Sequence, residues 1–188
     1  MHAFKPLERN FYQRDTIEVA KDLLGKFLVH HLPTEKEPRV GKIVEVEAYL
    51  GQQDLACHAS KGVTPRTRIM FGPAGFAYIY LIYGIHHCFN VVTEQEGVGA
   101  AVLIRAIEPI DGIGLRTQGP GLLCKALDID KHLNGEDLLN NRLFIANSND
   151  KHHIQIIAKP RIGVHYAKEW ADKPLRFYVK GNSFISKP

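Results

Sequence analysis

The sequence predicts an α+β fold: a single mixed domain, residues 1–188, built on a mostly antiparallel sheet with helices packed around it. Three observations predict it. Eight short segments of strand character outnumber two helical patterns and one helical turn. Connections at Gly84 and across Gly97 and Gly99 are short enough for hairpins. The 188 residues, 45% hydrophobic and 23% charged, carry no repeat and no linker-like tract, so one continuous core is expected.

The elements follow in order. Asp15 and Thr16 are N-cap candidates for a helix whose apolar face runs over residues 17–24 and which Gly25 closes. Residues 27–30 read as a short strand. Residues 42–49 alternate, with Val44, Val46 and Ala48 on one face and Glu45, Glu47 and Tyr49 on the other. Residues 76–83 and 87–93 are two strands joined at Gly84, and residues 100–107 form a third after the Gly97 and Gly99 turn. Residues 121–127 read as a helix. Residues 143–146, 154–158 and 175–179 are further strands, with a helical turn at 167–171 before the last. Residues 33–38 and 108–121 read as loops.

Composition excludes several classes. The longest apolar run, 76–85, is interrupted by tyrosines and Gly84 and is too short to span a bilayer, so no membrane association is expected. The first residues lack the apolar stretch of a signal peptide, which predicts a cytoplasmic protein. Cys57, Cys88 and Cys124 are odd in number and widely spaced, which suits reduced, buried thiols. The histidine pairs His30-His31, His86-His87 and His152-His153 are poor bidentate sites, because neighbouring strand residues face opposite ways. No metal ligation and no cofactor are expected. The net charge of +4 leans slightly toward a polyanionic partner.

Three features could carry chemistry. In EVEAY, 45–49, alternate residues lie about 6–7 Å apart on one strand face, so two carboxylates and a ring share a surface. On a wet face they are solvated; lining a pocket, one could act as a general base on water. Tyr78, Tyr80 and Tyr83 crowd one hairpin. Strand aromatics are ordinarily core or cross-strand pairs, but Tyr83 adjoins the turn and could wedge into a base stack. Arg66 and Arg68 in TPRTR, 64–68, are either a solvated loop or phosphate contacts.

Taken together these segments resemble the alkyladenine (3-methyladenine, methylpurine) DNA glycosylases. The anchors are IVEVEAYLG at 43–51, TPRTR at 64–68, YIYLIYG at 78–84, Asn90, LIRAIEP at 103–109, GPGLLCKA at 119–126, RIGV at 161–164 and KPLRFYV at 173–179. The resemblance runs over roughly residues 7–183 in the family's order. It implies a curved antiparallel sheet with surrounding helices and a protruding β-hairpin. It implies excision of damaged purines from double-stranded DNA, leaving an abasic site, by a monomeric enzyme that is nucleoid-associated if bacterial. Glu47 matches the glutamate that activates the attacking water. Arg105 and the backbone carbonyl of Ile162 match groups that place this water. Tyr49, His58 and Tyr80 match the walls of the base pocket, and Asn90 its floor. Tyr83 matches the intercalating tyrosine, with Ile85 beside it and Arg66 and Arg68 on the DNA. Ile85 departs from the larger residue common after the glycine, which implies a smaller wedge.

Other readings predict different residues. A non-catalytic damaged-base binding module of the same fold has no use for a carboxylate beside Arg105. A glycosidase of free nucleosides needs neither Tyr83 at a tip nor the arginine loop. An RNA-binding sheet is disfavoured by a carboxylate that repels phosphate.

Overall fold

A computed structural model describes residues 4–148 and 154–188; His2, His152 and His153 lie outside them. The elements in chain order are α1 (Arg9–Tyr12), α2 (Thr16–Leu23), β1 (Phe27–His30), β2 (Arg39–Tyr49), β3 (Ala77–Ile82), β4 (His86–Thr93), β5 (Ala100–Asp111), α3 (Pro120–Leu127), β6 (Leu143–Ala146), β7 (Ile156–Lys159) and β8 (Arg176–Val179). Four 3₁₀ turns join them: His58–Lys61, Arg68–Phe71, Lys131–Leu133 and His165–Trp170.

All strands described pair antiparallel, in the order β3-β4-β5-β2-β1-β6, with β8 pairing both β2 and β7. The long strand β2 organises the sheet. One of its edges runs along β5. Its other edge is shared, first by β1 at residues 39–42 and then by β8 at residues 45–47. A strand that changes partner midway splays its neighbours, and the sheet curls as a half-barrel.

The β2–β5 ladder is bulged at the same place. Ile43 pairs with Ile107, Glu45 with Ala106 and Val46 with Ile104, so Val44 and Arg105 have no partner in the register. A bulge shifts the pleat by one and re-aims side chains. This corrects the simple alternation expected for β2. The main core receives Ile43, Val46 and Ala48, and Val44 is buried outside that cluster.

Local chemistry explains the helices. Asp15 caps α2 by accepting from the N–H groups of Ile17 and Glu18, at 2.9 and 3.1 Å. Thr16 is the first helical residue instead, buried, its hydroxyl 3.0 Å from that of Thr93. Pro120 opens α3, where its missing N–H is no loss. Gly121 packs against β4, since a Cβ there would meet the His86 ring at 2.9 Å. The helices, with α1, cover the core face of the sheet, where Tyr12, Leu23, Leu123 and Leu127 are fully buried. Strands β2 and β5 begin or end several residues beyond the apolar alternation, and β7 lies slightly later than expected.

A buried ion pair ties the loop after β2 to the loop after β7. Arg161 grips Asp54 through two bonds, at 2.5 and 2.8 Å, and donates to the carbonyl of Ala48 at 2.9 Å. Asp54 also accepts from the N–H groups of Leu50 and Ala56. Neither charged side chain has any exposure. Removing one partner of such a pair strands a charge in low dielectric. Asp54→Ala should therefore lower stability by about 3–5 kcal/mol in urea unfolding, whereas Asp22→Ala, at a half-exposed surface pair, should cost under about 1 kcal/mol.

Candidate active site

The face of the sheet away from the main core carries a cavity of about 560 Å³. That falls within the range of small-molecule sites. Its walls are largely aromatic. Tyr49 ends β2, Tyr78 and Tyr80 stand on β3, and His58 opens the first 3₁₀ turn. The His58 ring lies 4.6 Å from Tyr80, and Tyr80 lies 5.4 Å from Tyr78. The Nδ1 of His58 shares a 2.8 Å hydrogen bond with the Tyr78 hydroxyl. Asn90, on β4, is buried in the lining and locked by its Nδ2 donating to the carbonyl of Tyr78 at 3.0 Å. The loop at 162–164, Tyr166 and the start of α3 complete the enclosure.

Burial sets the protonation of these rings. Desolvation, and then the nearby Arg66 guanidinium, push the His58 pKa down to about 4. Desolvation raises Tyr49 well above the usual tyrosine range, and the Glu47 charge adds to it. Desolvation likewise raises Tyr78 and Tyr80. At neutral pH the rings of the walls are therefore uncharged, with the Arg66 and Arg105 guanidiniums beside them. Such a surface suits a flat heteroaromatic group, and a cationic one most of all.

Behind one wall lies the charged machinery. Glu47 is fully buried and is not itself part of the lining; it sits one layer back, touching three residues that are. Tyr49 donates its hydroxyl to Oε2 at 2.7 Å, the N–H of Ile162 donates to Oε1 at 2.8 Å, and Arg105 Nη1 lies 3.3 Å from Oε1. A carboxylate offers about four acceptor positions, so one remains. Glu45, two residues back on the same face, is equally buried but bonds to Arg105, Arg176 and Ser186. Burial works against the charge on Arg105, but the carboxylates of Glu47 and Glu45 more than reverse this and raise its pKa.

The hairpin projects at the cavity mouth. Between paired Ile82 and His86, Tyr83 and Gly84 both take positive φ, +53° and +70°. That region suits glycine but strains a tyrosine. Tyr83 is 86% exposed and Ile85 72% exposed, with nothing of the core to hold them. Strained backbone of this kind clusters at active sites and ligand clamps.

Each residue singled out in the sequence can now be placed. Tyr49, His58, Tyr80, Asn90, Arg105, Ile162 and Tyr83 converge on the cavity, with Glu47 immediately behind it. Ile162 meets Glu47 through its amide N–H, a contact the sequence did not indicate. Arg66 lines the cavity and lies 5.1 Å over the Tyr80 ring, as well as being exposed. Arg68 and Ile85 are exposed outside the lining. Tyr166, 67% exposed at the rim, was missed, because one aromatic in a loop carries no pattern. Arg161, 4.7 Å over the Tyr49 ring, was seen only as part of a motif. Cys57, Cys88 and Cys124 are free and buried, and burial raises the Cys57 thiol to about 11. Among the described residues no three or more His, Cys, Asp or Glu side chains form a group that could hold a metal, and no helix is long and apolar enough to cross a membrane.

Neutral rings around one cavity, with a buffered carboxylate behind them and an exposed aromatic wedge beside them, define a nucleobase-handling protein. The methylpurine-DNA glycosylase (MPG) family model matches residues 10–183, and the chain belongs to that family. A protein of Legionella pneumophila (strain Corby) that is named for 3-methyladenine DNA glycosylase is 65% identical over 183 residues, covering 97% of this chain and 99% of that protein. Proteins given the same name are 51% identical in Myxococcus xanthus (strain DK1622), over 96% of this chain and 93% of that one, and 48% identical in Methanocella arvoryzae, over 96% of each. Membership makes the chain a DNA glycosylase with a role in base excision repair.

The His58 environment has a pH consequence. An unfolded histidine binds a proton near pH 6.5, whereas folded His58 binds one only near pH 4. Between these values the unfolded chain holds more protons, so His58 makes stability fall as pH falls from about 6.5 to about 4. His58→Gln should flatten that part of the stability curve, and NMR titration should find the wild-type imidazole neutral at pH 5.5.

Proposed function

We propose that this chain flips N-alkylated purines out of duplex DNA and hydrolyses their glycosidic bond with a water activated by Glu47. The supporting observation is that Glu47 touches three lining residues of the aromatic cavity, Tyr49, Arg105 and Ile162, and retains one acceptor position. The target bond is inaccessible inside the stack, so the nucleotide must leave it. Tyr83, presented on a strained turn, enters the gap, with Ile85 as a small second wedge. Arg66 and Arg68 contact backbone phosphates.

The extruded base stacks among Tyr49, His58 and Tyr80, each such contact contributing about 1–3 kcal/mol. Alkylation at N3 or N7 makes the purine cationic, which strengthens stacking on neutral rings and makes the base a good leaving group. Asn90, its amide oriented by Tyr78, stands at the floor where a guanine amino group would clash. Arg105 and the Ile162 backbone place the water, and Glu47 takes its proton as the oxygen attacks C1′. The electron pair of the glycosidic bond leaves with the base. No lysine stands in the motif, so no Schiff base and no strand cleavage are expected. The enzyme works as a monomer without a metal, in the cytoplasm and on the nucleoid if bacterial.

The test is base release from duplexes bearing single lesions, scored as alkali-labile sites. The wild type should release 3-methyladenine or 7-methylguanine. Glu47→Gln should bind the lesion duplex normally and excise it about 10²–10⁴-fold more slowly. Equal rates for both proteins would reject Glu47 as the base. Tyr83→Gly should leave thermal stability unchanged or slightly raised, because glycine accepts the turn without strain. It should lose more single-turnover activity on a stably paired lesion than on the same lesion mismatched, where extrusion is cheaper. An equal loss in both contexts would make Tyr83 a wall of the pocket.

A further inference from the structure

Arg105 is held by more than the site described above requires. Its guanidinium is used on three sides. Nη1 faces Glu47 at 3.3 Å, Nε donates to Glu45 at 3.3 Å, and Nη2 donates to the hydroxyl of Ser186 at 3.3 Å. Ser186 in turn donates its hydroxyl to Glu45 Oε1 at 2.9 Å and its N–H to Glu45 Oε2 at 2.5 Å. Arg176 Nη1 adds a fourth donor to Glu45 at 3.0 Å and also donates to the carbonyl of Lys187 at 2.6 Å. Upstream, Asn182 donates to Glu108 at 3.0 Å and accepts from the N–H of Phe184. The segment 182–187 is thus clasped onto β5, β2 and β8, with Ser186 set between Glu45 and Arg105.

We propose that Ser186 is a positioning residue for excision: bridging Glu45 and Arg105, it fixes the plane of the guanidinium so that Nη1 faces Glu47 and the attacking water. The proposal rests on the reading of Glu47 and Arg105 given under Proposed function. Two contacts fix a planar group and one does not. Glu47 faces Nη1 as an ion pair, and the directional hydrogen bonds on Arg105 are those to Glu45 and Ser186; with the Glu45 bond alone, Arg105 turns about the bond that carries Nε, and Nη1 leaves its place. With Ser186 holding Nη2, that turn breaks a second bond to a charged group. The same arrangement gives Glu45 its role. Its four donors turn it to Arg105, Arg176 and Ser186, whereas Glu47 meets the cavity wall through Tyr49 and Ile162, so Glu45 acts as the anchor of Arg105 and Glu47 as the base.

The experiment is single-turnover excision of an alkylated purine from a duplex, with lesion-duplex affinity and Tm measured on the same proteins. A hydrogen bond to a charged group is worth about a factor of ten or more. Ser186→Ala should lower the excision rate about tenfold, with affinity and Tm held near wild type. Ser186→Thr, which keeps both donors, should recover most of the rate. Glu45→Gln should lower the rate as well, and adding Ser186→Ala to it should lower the rate little further, because both act through Arg105. A wild-type rate in Ser186→Ala, a loss that threonine does not rescue, additive losses in the double variant, or a rate loss matched by a fall in Tm would each overturn the clamp. An active wild type with an indifferent Ser186→Ala refutes the clamp alone. A wild type that releases no base from any lesion duplex refutes the reading of the site, and the clamp with it.

Discussion

The structure depends on one buried electrostatic arrangement: two glutamates without solvent exposure, Glu45 and Glu47, with the nearly buried Arg105 between them. Buried charges are tolerated only when neighbours supply both opposite charge and hydrogen bonds. Here the sheet is shaped to supply them. The double bulge frees Arg105 from the register of β5 and turns it onto the two carboxylates. The same stretch of β2 leaves β1 and takes up β8, which brings Arg176 to Glu45. Curl, change of partner and charge pairing are one structural event, centred on residues 43–47.

From that centre the cavity follows. Tyr49, two residues beyond Glu47, closes the wall with its hydroxyl on the carboxylate and its ring under Arg161. Arg161 is anchored by Asp54, so the loops that carry Ala56 and Ile162 are fixed to the same point. The opposite wall belongs to the β3–β4 hairpin, where Tyr78 is buried and Tyr80 partly buried, and whose tip is strained and exposed. One hairpin thus provides rigid pocket at its base and an unsupported aromatic at its end, the two requirements for extruding a base and holding it. Of the two glutamates, Glu47 is the one bonded to Tyr49 and Ile162 of the cavity wall, which supports it as the base in the proposed reaction.

Much of this was legible in the sequence, for physical reasons that differ by element. Strands β1, β3, β4, β6 and β8 and helices α2 and α3 obey local periodicity and capping, and the Asp15 cap and the Gly84 turn are readable from single residues. The alternation of EVEAY placed Glu45, Glu47 and Tyr49 on one face, as found. It failed at Val44, because a bulge is set by cross-strand pairing and leaves no mark in one strand's pattern. α1 and the first three 3₁₀ turns escaped because elements of three or four residues are held by tertiary contacts, whereas the turn expected at 167–171 is the 3₁₀ turn His165–Trp170. Spacing alone left open which glutamate could serve as base; the donor sets of the two differ, and half of that around Glu45 comes from Ser186, far away in sequence and without any motif. Tyr166 and the pairing of Arg161 with Asp54 were hidden for the same reason: their roles exist only across loops.

The central claim is that water, prepared by Glu47 and Arg105, is the only nucleophile. It is tested most directly by the products of one turnover on a duplex carrying a single alkylated purine, quenched with borohydride and analysed without alkali. The account predicts free base, an intact strand bearing one abasic sugar, and no protein joined to DNA. A covalent protein–DNA adduct, or a strand already nicked at the lesion, would contradict it.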